Sequence, residues 1–240
     1  MSDKIEVILV DIGSSVIKSA EVIDGSITNH QVWNKISDLQ DSYDNVPFAV
    51  SSVRKNVSEL KSVFSKSKDL VLDHQTRLPV VLNYETPDTL GPDRVALAVG
   101  ANHLFPNENN LIIDMGTCIT IDLIDKNGIF QGGTISPGLL IRMKAMSNYT
   151  HSLPDISHEW GNIPERWPGK NTKESLLSGS LSGVVNELNG AIETIRKELA
   201  SINIILTGGD AKFFDSRIKA HIFAGSKIVE IGLYRIWKYQ

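Results

Sequence analysis

Two stretches of this chain place an aspartate, a glycine and a hydroxyl side chain at the same short spacing. The first is Asp11-Ile12-Gly13-Ser14-Ser15-Val16-Ile17-Lys18, and the second is Asp114-Met115-Gly116-Thr117-Cys118. An aliphatic run precedes each, and a second apolar segment follows each and ends at Asp24-Gly25 or Asn127-Gly128. The pattern reads as strand, tight turn, strand, twice over. The aspartate stands where the first strand ends, and the glycine lets backbone N–H groups approach a ligand closely. Two such turns facing each other across a cleft would hold a nucleotide's phosphates and its metal from both sides. One Asp-x-Gly-Ser occurs in ordinary hairpins, but its recurrence at long range implies two domains built on one plan. A third piece fits the plan: the apolar run 202–206 leads into Thr207-Gly208-Gly209-Asp210, a turn able to lie flat against a base or ribose.

Asp11 and Asp114 are the candidate metal-side carboxylates. Magnesium keeps several waters and takes one or two carboxylates plus substrate phosphates, so two strand-end aspartates suffice. Ser14, Ser15 and Thr117 can donate to phosphate oxygens. Lys18 reads equally as a point charge for phosphate or as a solvated strand residue. Cys118 reads as a small buried strand residue, with a reactive thiol as the alternative.

The stretch from Tyr84 to Arg94 contains Gly91-Pro92-Asp93-Arg94, and proline suits the first position of a helix. Asp93 then either complements the helix dipole, worth about 0.3–1 kcal/mol, or accepts the proton of a hydroxyl attacking a γ-phosphate. In the second case Arg94 steers an anionic substrate or the transition-state charge. A helix N-terminus and a neighbouring arginine both lower a carboxylate's pKa. In a loose phosphoryl-transfer transition state, positioning outweighs basicity. The histidines, His30, His74, His103, His151, His158 and His221, show no ligand spacing and no triad partners, and no Gly-x-x-x-x-Gly-Lys-Ser/Thr loop is present.

The elements that must position these groups are read from periodicity. A hairpin spans 5–10 and 16–23, a strand 48–53, a polar helix 56–67, and short strands 70–72 and 79–82. A helix runs from Pro92 until Pro106 stops it, with Val95, Val99, Asn102 and Phe105 along one face. Past the polar break at 107–110 come strands 111–113 and 120–124, then Gly132-Gly133-Thr134-Ile135, a Ser136-Pro137-Gly138 turn and a helix 139–146. Residues 151–170 form a long loop, a length uncommon without a function, in which Trp160 and Trp167 either pin the loop or stack on a ligand. Asn171-Thr172-Lys173-Glu174 has capping-box spacing. Leu177, Leu181, Val184, Leu188, Ile192, Ile195 and Leu199 step by three and four, an amphipathic helix. The chain closes with a strand 228–231 and a helix 233–239. Strands alternating with helices predict an α/β fold with mixed sheets, divided as 1–108 and 109–240.

With 240 residues, 41% hydrophobic and 22% charged, and a net charge of −4 from interspersed charges, the chain is an ordinary globular protein with no nucleic-acid or membrane surface. Met1-Ser2-Asp3-Lys4 opens no signal-peptide pattern. A single cysteine excludes an internal disulfide and favours the cytoplasm.

Taken together, these motifs resemble type III pantothenate kinase, a member of the actin, heat-shock-chaperone and sugar-kinase superfamily. Asp11-Ile12-Gly13-Ser14-Ser15 stands where that family carries Asp-x-Gly-Asn-Thr. Gly91-Pro92-Asp93-Arg94 matches its Gly-x-Asp-Arg signature, with Tyr84 before it, and Asp114-Met115-Gly116-Thr117 matches its second phosphate motif. Gly132-Gly133, Pro137-Gly138-Leu139 and Asn171-Thr172-x-x-Ser175 correspond in order. The resemblance implies ATP-dependent phosphorylation of pantothenate, the first step toward coenzyme A, by two ribonuclease-H-like domains in a homodimer with the pantothenate pocket at the subunit interface. It implies Asp93 as proton acceptor, and Tyr84, Gly91, Pro92, Asp93, Arg94 and Thr172 as pantothenate contacts. Residues Asp11 to Lys18 and Thr117 would contact ATP, Asp11 would reach magnesium through water, and Asp114 would hold a monovalent cation, potassium or ammonium. Ser14-Ser15 departs from Asn-Thr and loses about one hydrogen bond, on the order of 1 kcal/mol. The alternatives are a non-catalytic regulator on the same fold, which the intact Asp11, Asp93, Arg94 and Asp114 oppose, and an actin-like filament or chaperone ATPase, for which the chain is short.

Overall fold

A computed structural model of the chain describes residues 4–54, 56–220, 222–225 and 227–240. Met1-Ser2-Asp3 and His221, both used in reading the sequence, lie outside the described residues. The first apolar run forms β1 (Ile5–Ile12), antiparallel to β2 (Ile17–Ile23). Asp24 and Gly25 then adopt φ of 49° and 73°. Positive φ at both central residues is what a two-residue hairpin turn needs, and the chain returns as β3 (Ser26–Trp33), antiparallel to β2. The sequence reading contains no β3, because this edge strand is largely exposed and polar and carries no apolar alternation. Helix α1 (Ile36–Asp41), also unread, precedes β4 (Phe48–Ser52), which is parallel to β1. Helix α2 (Val57–Val63) and β5 (Leu70–Val71), parallel to β4, complete a sheet ordered β3-β2-β1-β4-β5.

Strand β6 (Val81–Leu82) and helix α3 (Pro92–Leu104) follow, then β7 (Asn110–Met115), β8 (Cys118–Ile124) and β9 (Ile129–Pro137). Helix α4 (Leu139–Asn148), the long helix α5 (Thr172–Glu198), β10 (Asn203–Thr207), the short α6 (Ala211–Phe214), β11 (Ile222–Ala224) and α7 (Ile228–Lys238) finish the chain. The second sheet is ordered β11-β10-β7-β8-β9-β6. Without β6 at its edge, it repeats the first sheet position for position. The duplication read from two turns is therefore a duplication of five strands, with the two aspartate-bearing strands, β1 and β7, in equivalent places.

Packing contacts divide the chain into two compact units, one comprising Met1–Asn110, Asp122–Gly132 and Ser226–Gln240, the other Leu111–Ile121 and Gly133–Gly225. Against a single cut after residue 108, two later stretches, Asp122–Gly132 and the one holding the last helix, belong with the first unit. There Val7, Ile8, Leu9 and Val10 are all buried, as in a strand covered on both faces. One face holds Ile8, Val10 and Ile12 against Leu39 of α1, Leu60 of α2, Phe48 and Phe64. Helices α3 and α7 pack on β4 and on each other, and α7 also packs on β1.

Residues 228–231 are thus the first turn of α7 rather than the expected strand. Ile-Val-Glu-Ile is a strand-like tetrapeptide, but Ile228, Gly232, Leu233 and Ile236 are the buried set, at helical spacing. In the second unit residues 151–170 form the expected loop, with one short 3-10 turn at Trp160–Asn162. Trp160 is pinned edge-on against Phe213, 5.1 Å between ring centres. Trp167 is 83% exposed, which disfavours pinning and leaves ligand stacking as the alternative. Asn171 caps α5 by accepting from the Glu174 N–H at 3.0 Å, as its spacing predicts. The Glu174 carboxylate accepts from the Lys170 N–H at 2.8 Å. Among the described residues no helix is long and apolar enough to cross a membrane.

Helices α3 and α7 meet so closely that a Cβ on Gly232 would lie 1.8 Å from the Ala96 carbonyl oxygen. Gly232→Ala should therefore lower unfolding free energy by about 1–3 kcal/mol, the scale of core overpacking, as read from urea denaturation.

Candidate active site

Helix α3 begins with Gly91 as its N-cap and Pro92 in the first turn, and residues 94–101 are buried on every side. The half-buried Asp93 turns its carboxylate back over that first turn, where Oδ1 accepts from the Arg94 backbone N–H at 2.9 Å. Burial raises the Asp93 pKa, outweighing the hydrogen bond and the positive charge from Arg94. The sequence argument expected the opposite direction, because desolvation cannot be read from helix position.

The Arg94 guanidinium is not directed at Asp93. It runs to β8, where Nε donates to both carboxylate oxygens of Asp122 at 3.1 and 3.0 Å and Nη2 makes a further short bond to Oδ1. The side chains of the pair are 5% and 0% exposed. The Tyr84 and Phe130 rings lie next to one another beside the guanidinium, each centred 5.8 Å from it and 6.0 Å from the other. Burial opposes the charge on Arg94, but the hydrogen bonds with Asp122 and Tyr84 outweigh it and raise its pKa. Tyr84 in turn sits above Gly132, whose place a Cβ would fill at 3.7 Å from the ring. The first unit thus gathers Tyr84, Gly91, Pro92, Asp93 and Arg94 as the sequence predicts, and adds Asp122, Phe130 and Gly132.

At the first turn, Asp11 is the penultimate residue of β1 and faces Lys18 directly across the hairpin, so the two side chains share one side of the sheet. Ser51 on β4 also stands beside Asp11 in register and is fully buried. The Gly13 N–H closes the turn onto the Val16 carbonyl at 3.0 Å. Ser14, Ser15, Val16 and Lys18 are exposed, whereas Ile12 and Ile17 are buried in the core and offer a ligand only their backbone. Arg54, which follows β4, reaches the Gly13 carbonyl through Nε. No motif names Arg54; its place after a strand parallel to β1 was the available signal.

In the second unit, Asp114 occupies the equivalent place on β7. The Gly116 N–H bonds to the Cys118 carbonyl at 3.0 Å. Only residues 116–117 separate the strands here, against 13–16 in the first turn, so the copies differ in length. Thr117 and Cys118 are both exposed, which corrects the expectation of a buried cysteine. Two further segments press on this turn. A Cβ on Gly138 would lie 2.4 Å from the Gly116 carbonyl oxygen, and the Gly138 N–H donates to Thr117 at 3.0 Å. Gly208, at φ +96°, would place a Cβ 2.4 Å from Asp114 Oδ1, and the Asp210 N–H donates to the Met115 carbonyl at 3.0 Å. The Gly-Gly motif therefore lies flat against the second turn. Burial raises the Asp210 pKa. Thr172 is exposed in the first turn of α5.

The model of the family described as type III pantothenate kinase matches residues 7–194. A type III pantothenate kinase of Cytophaga hutchinsonii is 37% identical over 97% of this chain and 98% of its own length. One from Flavobacterium psychrophilum is 36% identical over 98% and 99%. The chain belongs to the type III pantothenate kinase family. It is a kinase. Among solved structures, a Campylobacter jejuni protein described as a Baf family transcriptional activator superposes with a TM-score of 0.63 at 23% identity, covering 97% of this chain and 98% of that one. A glucokinase from an Antarctic psychrotroph gives 0.52 at 14%, covering 98% and 99%. These two likenesses bear on the fold alone, which is a two-domain ribonuclease-H-like architecture.

Gly208→Ala would both strain a left-handed backbone and push on the Asp114 carboxylate. It should cost about 1–3 kcal/mol of stability and lower kcat in an ATP-coupled assay, whereas Gly209→Ala, with nothing within 4 Å of its added Cβ, should leave both nearly unchanged.

Proposed function

We propose that the protein transfers the γ-phosphoryl group of ATP to the terminal hydroxyl of pantothenate, the first step toward coenzyme A, with Asp93 receiving the hydroxyl proton. The observation that carries this reading is the Asp93 carboxylate, held at the start of a buried helix beside a buried guanidinium and raised in pKa by desolvation. A carboxylate raised in this way is a stronger base than a free aspartate, so positioning and basicity act together. The hydroxyl oxygen bonds to the γ-phosphorus as the bond to the ADP oxygen breaks, and the proton passes to Asp93.

Tyr84, Gly91, Pro92 and Arg94 bind pantothenate in this reading, with Arg94 toward its anionic end. Ser14, Ser15, Lys18 and the backbone from Asp11 to Ile17 bind ATP phosphates, as does Thr117. Among the described residues no group of three or more His, Cys, Asp or Glu side chains could hold a metal. Single strand-end carboxylates fit magnesium, which takes its other ligands from water and phosphate. Asp11 would hold it through water, and when bound it offsets charge developing on the phosphates. Asp114 would hold a monovalent cation, potassium or ammonium. The protein would act as a homodimer with the pantothenate pocket at the subunit interface, a reading supported by the family's Asn-Thr-x-x-Ser motif at Asn171–Ser175, in which Thr172 contacts pantothenate.

An ATP-coupled assay with and without pantothenate, and with and without potassium, tests this. Asp93→Asn should lower kcat by about 10²–10⁴-fold, and turnover indifferent to pantothenate would overturn the reading. The carboxyl must be ionised to accept a proton, and burial raises its pKa. Accordingly kcat/KM should climb with pH along an acid limb centred above the ordinary aspartate value of 3.8, and Asp93→Asn should abolish that limb.

Ser14→Asn restores an amide to the first turn. It should lower the ATP KM several-fold, as expected for about one recovered hydrogen bond.

A further inference from the structure

We infer that Asp122 is a positioning residue of the pantothenate site: it grips one edge of the Arg94 guanidinium and so fixes where that charge stands relative to the neighbouring Asp93 and to the substrate anion. The inference rests on the reading that Tyr84 and Gly91–Arg94 receive pantothenate.

Both Asp122 oxygens accept from Arg94, and Asp122 is fully buried. A carboxylate at that depth is tolerated only when paired and hydrogen-bonded. Surface ion pairs wander because water competes for both partners. Here Arg94 is 4% exposed, lies against the Tyr84 and Phe130 rings, and is held by its bonds to Asp122. The grip uses Nε and Nη2, Tyr84 shares a further hydrogen bond with the guanidinium, and the planar fork so held is of a shape suited to a carboxylate or phosphate.

The titratable groups around the guanidinium are Asp93 on its own helix, Asp122 on β8, and Tyr84 from the segment before α3. Asp93 is one residue away, and its Oδ1 accepts from the backbone N–H of Arg94. Were Asp122 uncharged, the positive charge of Arg94 would act on the adjacent Asp93 without that offset and lower the basicity of the proton acceptor. Asp122 therefore serves the reaction without touching substrate.

The test is a double-mutant cycle on the full chain with Asp122→Asn, Arg94→Gln and both together, measuring kcat, both KM values and the pH profile. Asp122→Asn should lower kcat/KM for pantothenate by about 10- to 100-fold, the scale for losing a group that orients a ligand-contacting side chain. The ATP KM should stay within about threefold. The acid limb should move to lower pH, since removing a negative charge and freeing a positive one both favour ionised Asp93. In the Arg94→Gln background Asp122→Asn should change nothing further. Wild-type behaviour of Asp122→Asn, an equal rise in ATP KM, or an undiminished effect without Arg94 overturns the inference. If Asp122→Asn alone does not fold, the double variant, which removes both charges, is compared with Arg94→Gln: equal kcat/KM upholds the inference, and a further tenfold loss overturns it. Wild-type protein that ignores pantothenate would overturn the functional reading instead.

Discussion

A guanidinium and a carboxylate that have both left water are stable only against each other, and that requirement fixes the N-terminal end of α3. Arg94 and Asp122 join the first turn of a helix to the middle of a strand with no solvent between them. Losing one member of such a pair generally costs about 3–5 kcal/mol, whereas replacing both with apolar groups can cost nothing. The pair is therefore weak as an argument for stability and strong as one for register. α3 cannot rotate or slide by a residue without stranding a charge. Since α3 is buried on every side from Arg94 to Ala101, a position set at its first turn is transmitted along its length to the packing against α7. Asp93 inherits its place from this constraint.

The duplication was visible in the sequence through its turns and hidden in its edges. Asp-x-Gly recurs because both central strands must end in a tight turn, and the Asp24-Gly25 and Asn127-Gly128 pairs recur because each second strand must turn into a third. The third strands themselves diverged. β9 keeps apolar residues, while β3 lies exposed at an edge and carries Thr28, Asn29, His30 and Gln31, so no alternation betrays it. The element 228–231 was misread for the opposite reason: its β-branched residues favour a strand locally, and docking on α3 decides otherwise.

At the site, residue types that bind by backbone or charge could be found from spacing, and those that act by burial could not. Asp93 was identifiable, but the direction of its pKa depends on neighbours far off in the chain. Asp122 carries a sequence signal of its own. An aspartate inside Ile119-Thr120-Ile121-Asp122-Leu123-Ile124 is a charge in an apolar strand, and such a residue is almost always partnered. Gly138 and Gly208 stood in noted motifs, yet their contact with the second turn needs three segments brought together from across the unit. Cys118 reads as buried on residue type alone and faces solvent.

The return of α7 to the first unit has a consequence for how the chain is made. During synthesis β1, β4 and α3 leave the ribosome long before residues 228–238 exist, so the α7-facing side of the nascent sheet stays uncovered while the whole second unit is translated. Uncovered apolar strands invite association with chaperones or with other chains. Vectorial folding of this protein therefore cannot finish the N-terminal unit first; its final closure waits for the last helix.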